Sequence, residues 1–540
     1  MRLRSYFETA KKRKNARLVF LLLGALLCGL CLVTQRLDLL EWVSLVPMAI
    51  ALYDVAEDET IRKRDAYGYG FFFYFCFYAV NFHWFVNLYP LDFVEGMTKP
   101  SALAVVLLGC FGLSALQALG AGVAFVLFVC LSRGAFFKNS IILKSLFAAA
   151  VWTVLEWSQT IGWVGVPWAR LAIGQTGLLV GAQSSSLFGC CFVTFLVVLV
   201  NFLVAGAILY TDKRKALALL AALTVVFNFS LGALLYVRNT KNDAPVVVAA
   251  IQGNVSSADK WDFTKRWLTL EVYEKYTVKA AEDGADIVIW PESALPYNIT
   301  YDIELLNYIS RLARENEVTL LVGAFTYEGD DEYNTIVTVL SDGSLHETKY
   351  YKRHLVPFGE YVPYRQVIEV VLPVLADLGM LPYDLAAGDS ASVIELDGAS
   401  IGSLICFDSI YDELARDSAR AGADIFAVST NDSWFLDSAA LRMHNAQAML
   451  RSIENGRYTV RAANTGISSV IAPNGTIEKE LGALKEGYVL SEVYPQEKTT
   501  LYTHIGNTFV YACIAWIIVC FVGNIFELKR QKSIDINEIK

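Results

Sequence analysis

The sequence predicts two kinds of structure in one chain: an α-helical membrane bundle and an α/β layered domain. Three observations predict this. Hydrophobic residues make up 55% of the 540 residues, and they crowd the first 240 positions and a short segment near the end. Residues 245–500 instead have an ordinary globular composition, with strand-like and helix-like patterns in alternation. Lysine and arginine gather in every second loop between the apolar runs.

A crossing helix needs about 20 apolar residues, at roughly 1.5 Å per residue, to span the hydrocarbon. Stretches at 18–34, 39–55, 67–89, 102–131, 141–160, 186–210, 216–237 and 508–527 meet or approach this. Basic residues test the count. Arg2, Arg4, Lys11 to Lys14 and Arg17 precede the first stretch, and Arg62, Lys63 and Arg64 follow the second. Arg133, Lys138 and Lys144 follow the fourth, Lys213 to Lys215 the sixth, and Lys529, Arg530 and Lys532 the last. The alternate loops hold only Arg36, Lys99 and Arg170. Cytoplasmic loops carry the excess of Lys and Arg. The expected organisation is therefore a seven-helix transmembrane domain over 1–240 and an extracytoplasmic catalytic domain over 245–500. An eighth helix and a cytoplasmic tail follow over 505–540, so both termini are cytoplasmic. The basic start lacks a small-residue cleavage site after its apolar run, which reads as an uncleaved anchor. Polar and aromatic groups near the outer span ends (Asn81, His83, Trp84, Glu156, Trp157 and the 162–170 stretch) read singly as an aromatic belt with a few interfacial polar groups, or together as a platform facing the external domain, a reading favoured by the cost of an ionisable group such as Glu156 within a span.

The middle domain opens on a buried strand, 246–251, and a helix over 264–282. A strand over 286–290, a helix over 302–315 and strands over 319–323 and 335–339 follow. Strands at 393–396 and 401–405, a helix at 411–421, a strand at 425–428 and a long helix at 438–455 come next, with shorter strands closing the domain. Such alternation predicts helices covering sheets. One apolar, proline-interrupted segment, 361–381, does not fit a compact soluble domain; it reads either as a helical hairpin packed on the core or as a flap dipping into the membrane surface, and its length favours the flap.

Chemistry concentrates in three residues. Of the ten cysteines, only Cys406 lies outside the long apolar segments, at the end of the strand 401–405. Glu292 follows the strand ending at Trp290, and Lys352 lies in a polar turn. Singly, each has a plain reading: a core thiol, a helix cap and a surface charge. Together they make a nucleophile, a base and a cation, gathered where α/β sheets place catalytic groups, beyond the strand ends. A carboxylate can take the thiol proton, and an ammonium can hold the charge developing on a carbonyl oxygen. The net charge of -9 argues against nucleic acid as a partner. No Cys/His cluster has metal-ligand spacing, so no metal is expected.

Glu292, Lys352 and Cys406, in that order, resemble the catalytic triad of the nitrilase superfamily, whose domain is an αββα sandwich. The run KRHLVPFGEYVP at 352–363 resembles a narrower family, the apolipoprotein N-acyltransferases of bacterial membranes. The likeness extends through the eight spans, the 163–174 stretch, Ile251 to Asn254 with Trp261, Asn431 to Phe435, Arg461 to Ile467, Tyr502 and Gly506-Asn507. It implies a cell-membrane enzyme that moves a fatty acyl chain from a phospholipid, through a thioester on Cys406, to the amine of the diacylglyceryl-cysteine of a lipoprotein. It further implies Glu292 as base, Lys352 as oxyanion stabiliser, Glu360 as a supporting carboxylate, and Trp261, Asn431 and Trp434 as substrate-binding residues. No cofactor is implied, and the protein is expected to be a monomer. Phe407-Asp408 stands where the family usually has Tyr-Glu, which bears on positioning of the amine acceptor. The alternative is a membrane-tethered nitrilase-like amidase or hydrolase. Eight spans and an apolar flap are costly features for an enzyme acting on a small soluble amide.

Overall fold

The computed structural model describes residues 10–91, 97–137, 140–237, 244–371 and 383–539. The chain divides into two compact units. One gathers the chain up to Val86, Ala104–Tyr236 and the part from Ile505 onward; the other holds Asn87–Leu103 and Val237–His504. Asn87–Leu103, expected as a loop between spans, thus belongs to the second unit. There the Asn87 amide donates to the Phe435 carbonyl at 3.4 Å.

The first unit is helical. Among the described residues, seven helices are long and apolar enough to cross a membrane. They are Lys11–Thr34, Asp38–Glu57, Lys99–Ser132, Ile141–Ser158, Cys190–Leu209, Arg214–Tyr236 and Thr508–Arg530. The expected span at 67–89 differs. It is a helix of 19 residues, Lys63–Asn81, followed by a 3-10 turn, His83–Leu88. Its first turn is charged and it carries Tyr67, Tyr69, Tyr74 and Tyr78, so it is less apolar than the other seven. Phe73, Tyr74, Phe77 and Tyr78 are nevertheless buried. Glu156 is also buried: its carboxylate accepts from the Leu171 amide at 3.0 Å and from the Thr194 hydroxyl at 2.7 Å. This carboxylate pins the broken 163–174 stretch against two helices of its own unit.

The second unit holds two six-stranded sheets. The first contains β1 (Val246–Gln252), β2 (Ile287–Ile289), β3 (Thr319–Glu328), β4 (Asp331–Val339), β5 (Tyr350–Tyr351) and β12 (Gly487–Val493), in the order β12-β1-β2-β3-β4-β5. The second contains β6 (Val393–Leu396), β7 (Ala399–Ile405), β8 (Ile425–Thr430), β9 (Tyr458–Ala463), β10 (Ser468–Ile471) and β11 (Ile477–Leu481), in the order β11-β10-β9-β8-β7-β6. In each sheet three central strands run parallel: β1-β2-β3 and β7-β8-β9.

Strand periodicity explains the layers, since successive side chains point to opposite faces. Val248, Ala250, Ile287 and Ile289 share one buried cluster with Ile401, Ile405, Ile425 and Val460 of the other sheet. Their neighbours Ala249, Ile251, Val288 and Trp290 pack instead with Leu270 and Tyr273 of helix Arg266–Glu282 and with Leu305 and Ile309 of helix Ile303–Glu315. Helices Asp412–Arg420 and Ala439–Asn455 pack on the second sheet, against β7 and β9. The result is an αββα sandwich, as the sequence predicts.

Candidate active site

Glu292 is placed by the end of β2. Trp290 is fully buried, stacks on Tyr273 at 5.0 Å and donates its indole N–H to Thr277 at 3.0 Å. The Trp290 carbonyl accepts from the Ser429 hydroxyl at 3.0 Å, which ties the turn to the second sheet. The turn crosses β3 closely at Gly323, where a Cβ would come within 2.2 Å of the Pro291 carbonyl oxygen. Glu292 is buried, and both its oxygens are engaged. Oε1 accepts from Lys352 Nζ at 2.8 Å and from the Asn334 amide at 2.9 Å, and Oε2 from the Asn431 backbone N–H at 2.9 Å.

Lys352 follows β5. Its N–H donates to the Asn334 carbonyl at 2.9 Å, and its carbonyl accepts from Gly388 at 2.8 Å. Its ammonium, with 1% side-chain exposure, lies 2.8 Å from Glu292 and 2.9 Å from Glu360. Asn334 also donates to Glu360 at 2.9 Å, and Glu360 Oε2 accepts from the Val356 N–H at 2.9 Å. Every charged member of this cluster is paired, the condition under which buried charge is tolerated.

Cys406 ends β7 in a left-handed backbone conformation, φ 48°, which a residue with a Cβ seldom adopts. It is half-buried and packs against the inter-sheet core. Both Glu292 and Lys352 act on its thiol. Burial, then the Glu292 charge, raise the thiol pKa; Lys352 and a hydrogen bond from Thr430 oppose them. Burial alone would also raise Glu292, but the Lys352 and Lys260 charges and the Asn334 hydrogen bond hold its carboxyl below the usual range. For Lys352, burial is outweighed by Glu292 and Glu360, which keep its ammonium charged. The resting site is thus a neutral thiol beside an ionised carboxylate and a charged amine.

The remaining predicted residues take different places. Asp408 is fully buried and staples the cysteine loop to the lysine loop. It accepts from the Tyr350 hydroxyl at 2.9 Å, from the Ile405 N–H at 3.1 Å, and from the Arg353 and His354 N–H groups at 3.2 and 2.8 Å. Phe407 is half-buried and meets the Tyr411 ring edge-on at 5.4 Å. The Asn431 side chain accepts from Asn464 at 3.1 Å, while its backbone serves Glu292. Trp261 packs on Phe325 at 6.0 Å, and its buried indole N–H has no acceptor among the described residues. Trp434 lies half-buried in the 3-10 turn Ser433–Phe435.

Three residues were not singled out from the sequence. Asn334, inside β4, bridges the two carboxylates. Lys260 is fully buried and donates to the Glu292 carbonyl at 2.9 Å; burial pulls its pKa down to about 7, against the Glu292 and Cys406 charges. His444 lies on the helix Ala439–Asn455, beneath Cys406. Ligand atoms of Cys406, Asp432 and His444 lie within 4.8 Å of one another. Arg461 already pairs with Asp432 at 2.6 Å, so a buried cation occupies this corner and the group fits hydrogen bonding better than metal binding. No sequence signal marks His444: every residue of its helix from Ala439 to Asn455 except Arg442 is buried, so no periodic stripe singles out a face.

A family model described as carbon-nitrogen hydrolase matches residues 247–501, which puts the two-sheet unit in that class of hydrolase-like domains. A second, described as apolipoprotein N-acyltransferase N-terminal domain, matches residues 24–203. An apolipoprotein N-acyltransferase of Geobacter metallireducens is 32% identical over 379 residues, covering 68% of this chain and 71% of its own length. One from Gloeobacter violaceus is 29% identical over 509 residues, covering 94% of each chain. One from Shewanella oneidensis is 27% identical over 506 residues, covering 90% of this chain and 91% of its own. The chain belongs to the apolipoprotein N-acyltransferase family, acyltransferases built on a carbon-nitrogen hydrolase domain.

Proposed function

We propose that the protein transfers a fatty acyl chain from a membrane phospholipid to the α-amine of an apolipoprotein's S-diacylglyceryl-cysteine, through a thioester on Cys406. The observation that carries this reading is the Lys352 ammonium, ion-paired to Glu292 and Glu360 while acting on the Cys406 thiol. Sγ attacks the acyl ester carbon as Glu292 takes the thiol proton. The resting pKa values oppose that transfer, so it must accompany bond formation. As charge builds on the carbonyl oxygen, Lys352 shifts toward it and loosens its hold on Glu292, which becomes a better base. The ester C–O bond then breaks, and Glu292 returns the proton to the departing lysolipid oxygen. In the second half the lipoprotein amine attacks the thioester carbon as Glu292 takes its proton; the C–S bond breaks, and Glu292 passes that proton to the leaving sulfur, restoring the thiol and its own carboxylate.

Lipid delivery is assigned to the 361–381 flap. Residues 372–382 lie outside those described, but the flanks support the assignment. Helix Arg365–Val371 exposes Val367 and Val370, which are 58% and 82% accessible. The base of the segment is tied by Arg365 to Asp384 at 2.5 Å and by the Leu385 N–H to the Glu360 carbonyl at 2.9 Å. The flap stem therefore begins at a carboxylate that binds Lys352. The orphan Trp261 N–H is free to meet a lipid carbonyl or phosphate oxygen. The basic-loop pattern supports a multi-pass protein of the cell membrane, with this unit on the extracytoplasmic face, both termini inside, and Lys63–Asn81 as an eighth crossing. The test is mass spectrometry of the purified protein after incubation with phospholipid. An acyl adduct on Cys406, discharged by a diacylglyceryl-cysteine peptide and not by water, is expected; an adduct that water clears as fast would make the protein a hydrolase.

A further inference from the structure

The thiol of Cys406 is aimed by a backbone that would not choose its conformation unaided. A left-handed residue with a Cβ is strained and persists only where its surroundings hold it. The surroundings here include a buried polar unit beside the loop, built from Asp432, His444 and Arg461. The Cys406 carbonyl accepts from the Ser409 hydroxyl at 2.7 Å and faces His444 Nε2 at 3.2 Å. That same Nε2 lies 3.0 Å from Ser409 Oγ. Ser409 has given its hydrogen to the carbonyl, so both atoms facing Nε2 are acceptors and Nε2 carries a hydrogen.

The other ring nitrogen is held as firmly. His444 Nδ1 lies 3.0 Å from Asp432 Oδ1 and 3.0 Å from Arg461. Arg461 donates to Asp432 Oδ2 at 2.6 Å and to the Ile467 carbonyl at 2.5 Å, and Thr430 donates to Asp432 Oδ1 at 2.9 Å. Asp432, His444 and Arg461 are all at most 2% exposed. Gly466 lets Asp432 approach: a Cβ there would meet its carboxylate at 2.3 Å.

We infer that His444, anchored by Asp432 and Arg461, is a positioning residue for the nucleophile: its Nε2–H fixes the Cys406 carbonyl and so turns Sγ toward Glu292 and Lys352. The inference rests on Cys406 as the acylated residue. A single ångström of misplacement in such a geometry can cost about a hundredfold in rate.

Two amide substitutions separate this role from a purely structural one. In His444→Gln the amide nitrogen falls near Nε2 and can still donate to the Cys406 carbonyl. In His444→Asn it falls near Nδ1 and can serve only Asp432 and Arg461. The full-length protein in phospholipid vesicles is assayed for acyl-enzyme formation, with Cys406→Ala as reference. His444→Asn is expected to lower the rate constant by roughly 10- to 100-fold without changing the phospholipid KM. His444→Gln is expected to recover most of it. An Asn variant as active as the Gln variant, or more so, overturns the inference, because the imidazole would then serve only the Asp432–Arg461 pair. Should the Asn variant fail to fold, His444→Gln against the wild-type protein carries the test: a rate within a few-fold and an unchanged KM are expected, and a hundredfold loss overturns the inference. Acyl transfer that survives Cys406→Ala instead removes the underlying reading of the nucleophile.

Discussion

Two buried clusters of opposite charges flank Cys406, and they are built alike for different ends. Glu292, Lys352 and Glu360 form one; Asp432, His444 and Arg461 form the other. In each, a buried carboxylate is held below its usual range by cations that outweigh desolvation. The difference lies in what the cluster leaves over. In the second, Arg461 is spread over a carboxylate and a carbonyl, and the imidazole ends on the cysteine backbone. In the first, the cation acts on the thiol and lowers its pKa, whereas the second sends only its Asp432 charge there and raises it. On the function proposed above, the first cluster follows charge as it moves and the second keeps a loop from moving. The lesson is that a buried ion pair is identified as reactive by its remaining neighbour, not by its depth or its pKa.

The sharpest test of the contrast is on the reactive side. Cys406→Ala should abolish the acyl-enzyme, and Lys352→Met should slow its formation by about a hundredfold or more, the usual loss for one oxyanion donor. Single-turnover mass spectrometry measures both. An unslowed Lys352→Met would make the two clusters equivalent scaffolds.

Asp432→Asn should show the opposite balance. It leaves Arg461 buried beside a neutral amide, and breaking a buried pair costs about 3–5 kcal/mol of stability. Thermal unfolding in detergent should register that loss, with a smaller proportional fall in acylation rate than Lys352→Met. A variant that keeps its melting temperature and loses all activity would move Asp432 into the reactive cluster.

Lys260 sharpens the comparison through pH. It belongs to the reactive side through the Glu292 carbonyl, and its pKa of about 7 is far below that of an unfolded lysine, about 10.4. Below pH 7 both states hold the proton, and the folded state bears the full cost of the buried charge. Between pH 7 and about 10.4 the unfolded state binds more protons, so the cost fades as pH rises. Lys260→Met should therefore raise the melting temperature most below pH 7 and little near pH 10. It should also slow acylation below pH 7, where Lys260 carries its charge beside Glu292 and Cys406. A stabilisation that grows with pH would contradict this reading of the burial.

The smallest effect on the chemistry is expected from Val367→Asp with Val370→Asp, which touches neither cluster. Alkylation of Cys406 by a small water-soluble reagent should be unchanged, while acylation from vesicles falls. Equal loss in both assays would tie helix Arg365–Val371 to the site itself.

Glu292 and Cys406 were legible as candidates because each sits just past a strand that its own apolar run announces, Ile287–Ile289 and Ala399–Ile405; Lys352 follows the two-residue strand Tyr350–Tyr351, which no apolar run announces. The layers were legible for the same reason. The expected strand at 319–323 runs on to Glu328, because beyond Gly323 it is paired with β4 out to Glu328↔Asp331, a hairpin whose polar end carries no burial pattern. Asn334 and His444 were not legible. Asn334 looks like any polar residue in a strand, and its bridging of Glu292 and Glu360 depends on three elements meeting. His444 lies on a helix buried nearly all round, so no amphipathic stripe marks which face meets Cys406. The span count was read from apolar runs and the basic loops between them, and the ring-rich helix Lys63–Asn81 is less apolar than the other seven. Asp408 was read for its reach toward an acceptor, yet four donors from two loops converge on it.

The pairing of β1 with β12 has a consequence for how the chain is made. Val246 lies opposite Val493 and Gln252 opposite Gly487, so the first strand of the sandwich is flanked on one side by the last. As the polypeptide emerges from N- to C-terminus, β1 waits for almost the entire domain before that side is closed. A premature stop or a proteolytic nick ahead of Gly487 would leave a bare apolar edge, a template for pairing with another chain. Truncated products should accordingly aggregate or be degraded rather than persist as partly active enzymes, and completion of synthesis becomes the checkpoint for a folded sandwich.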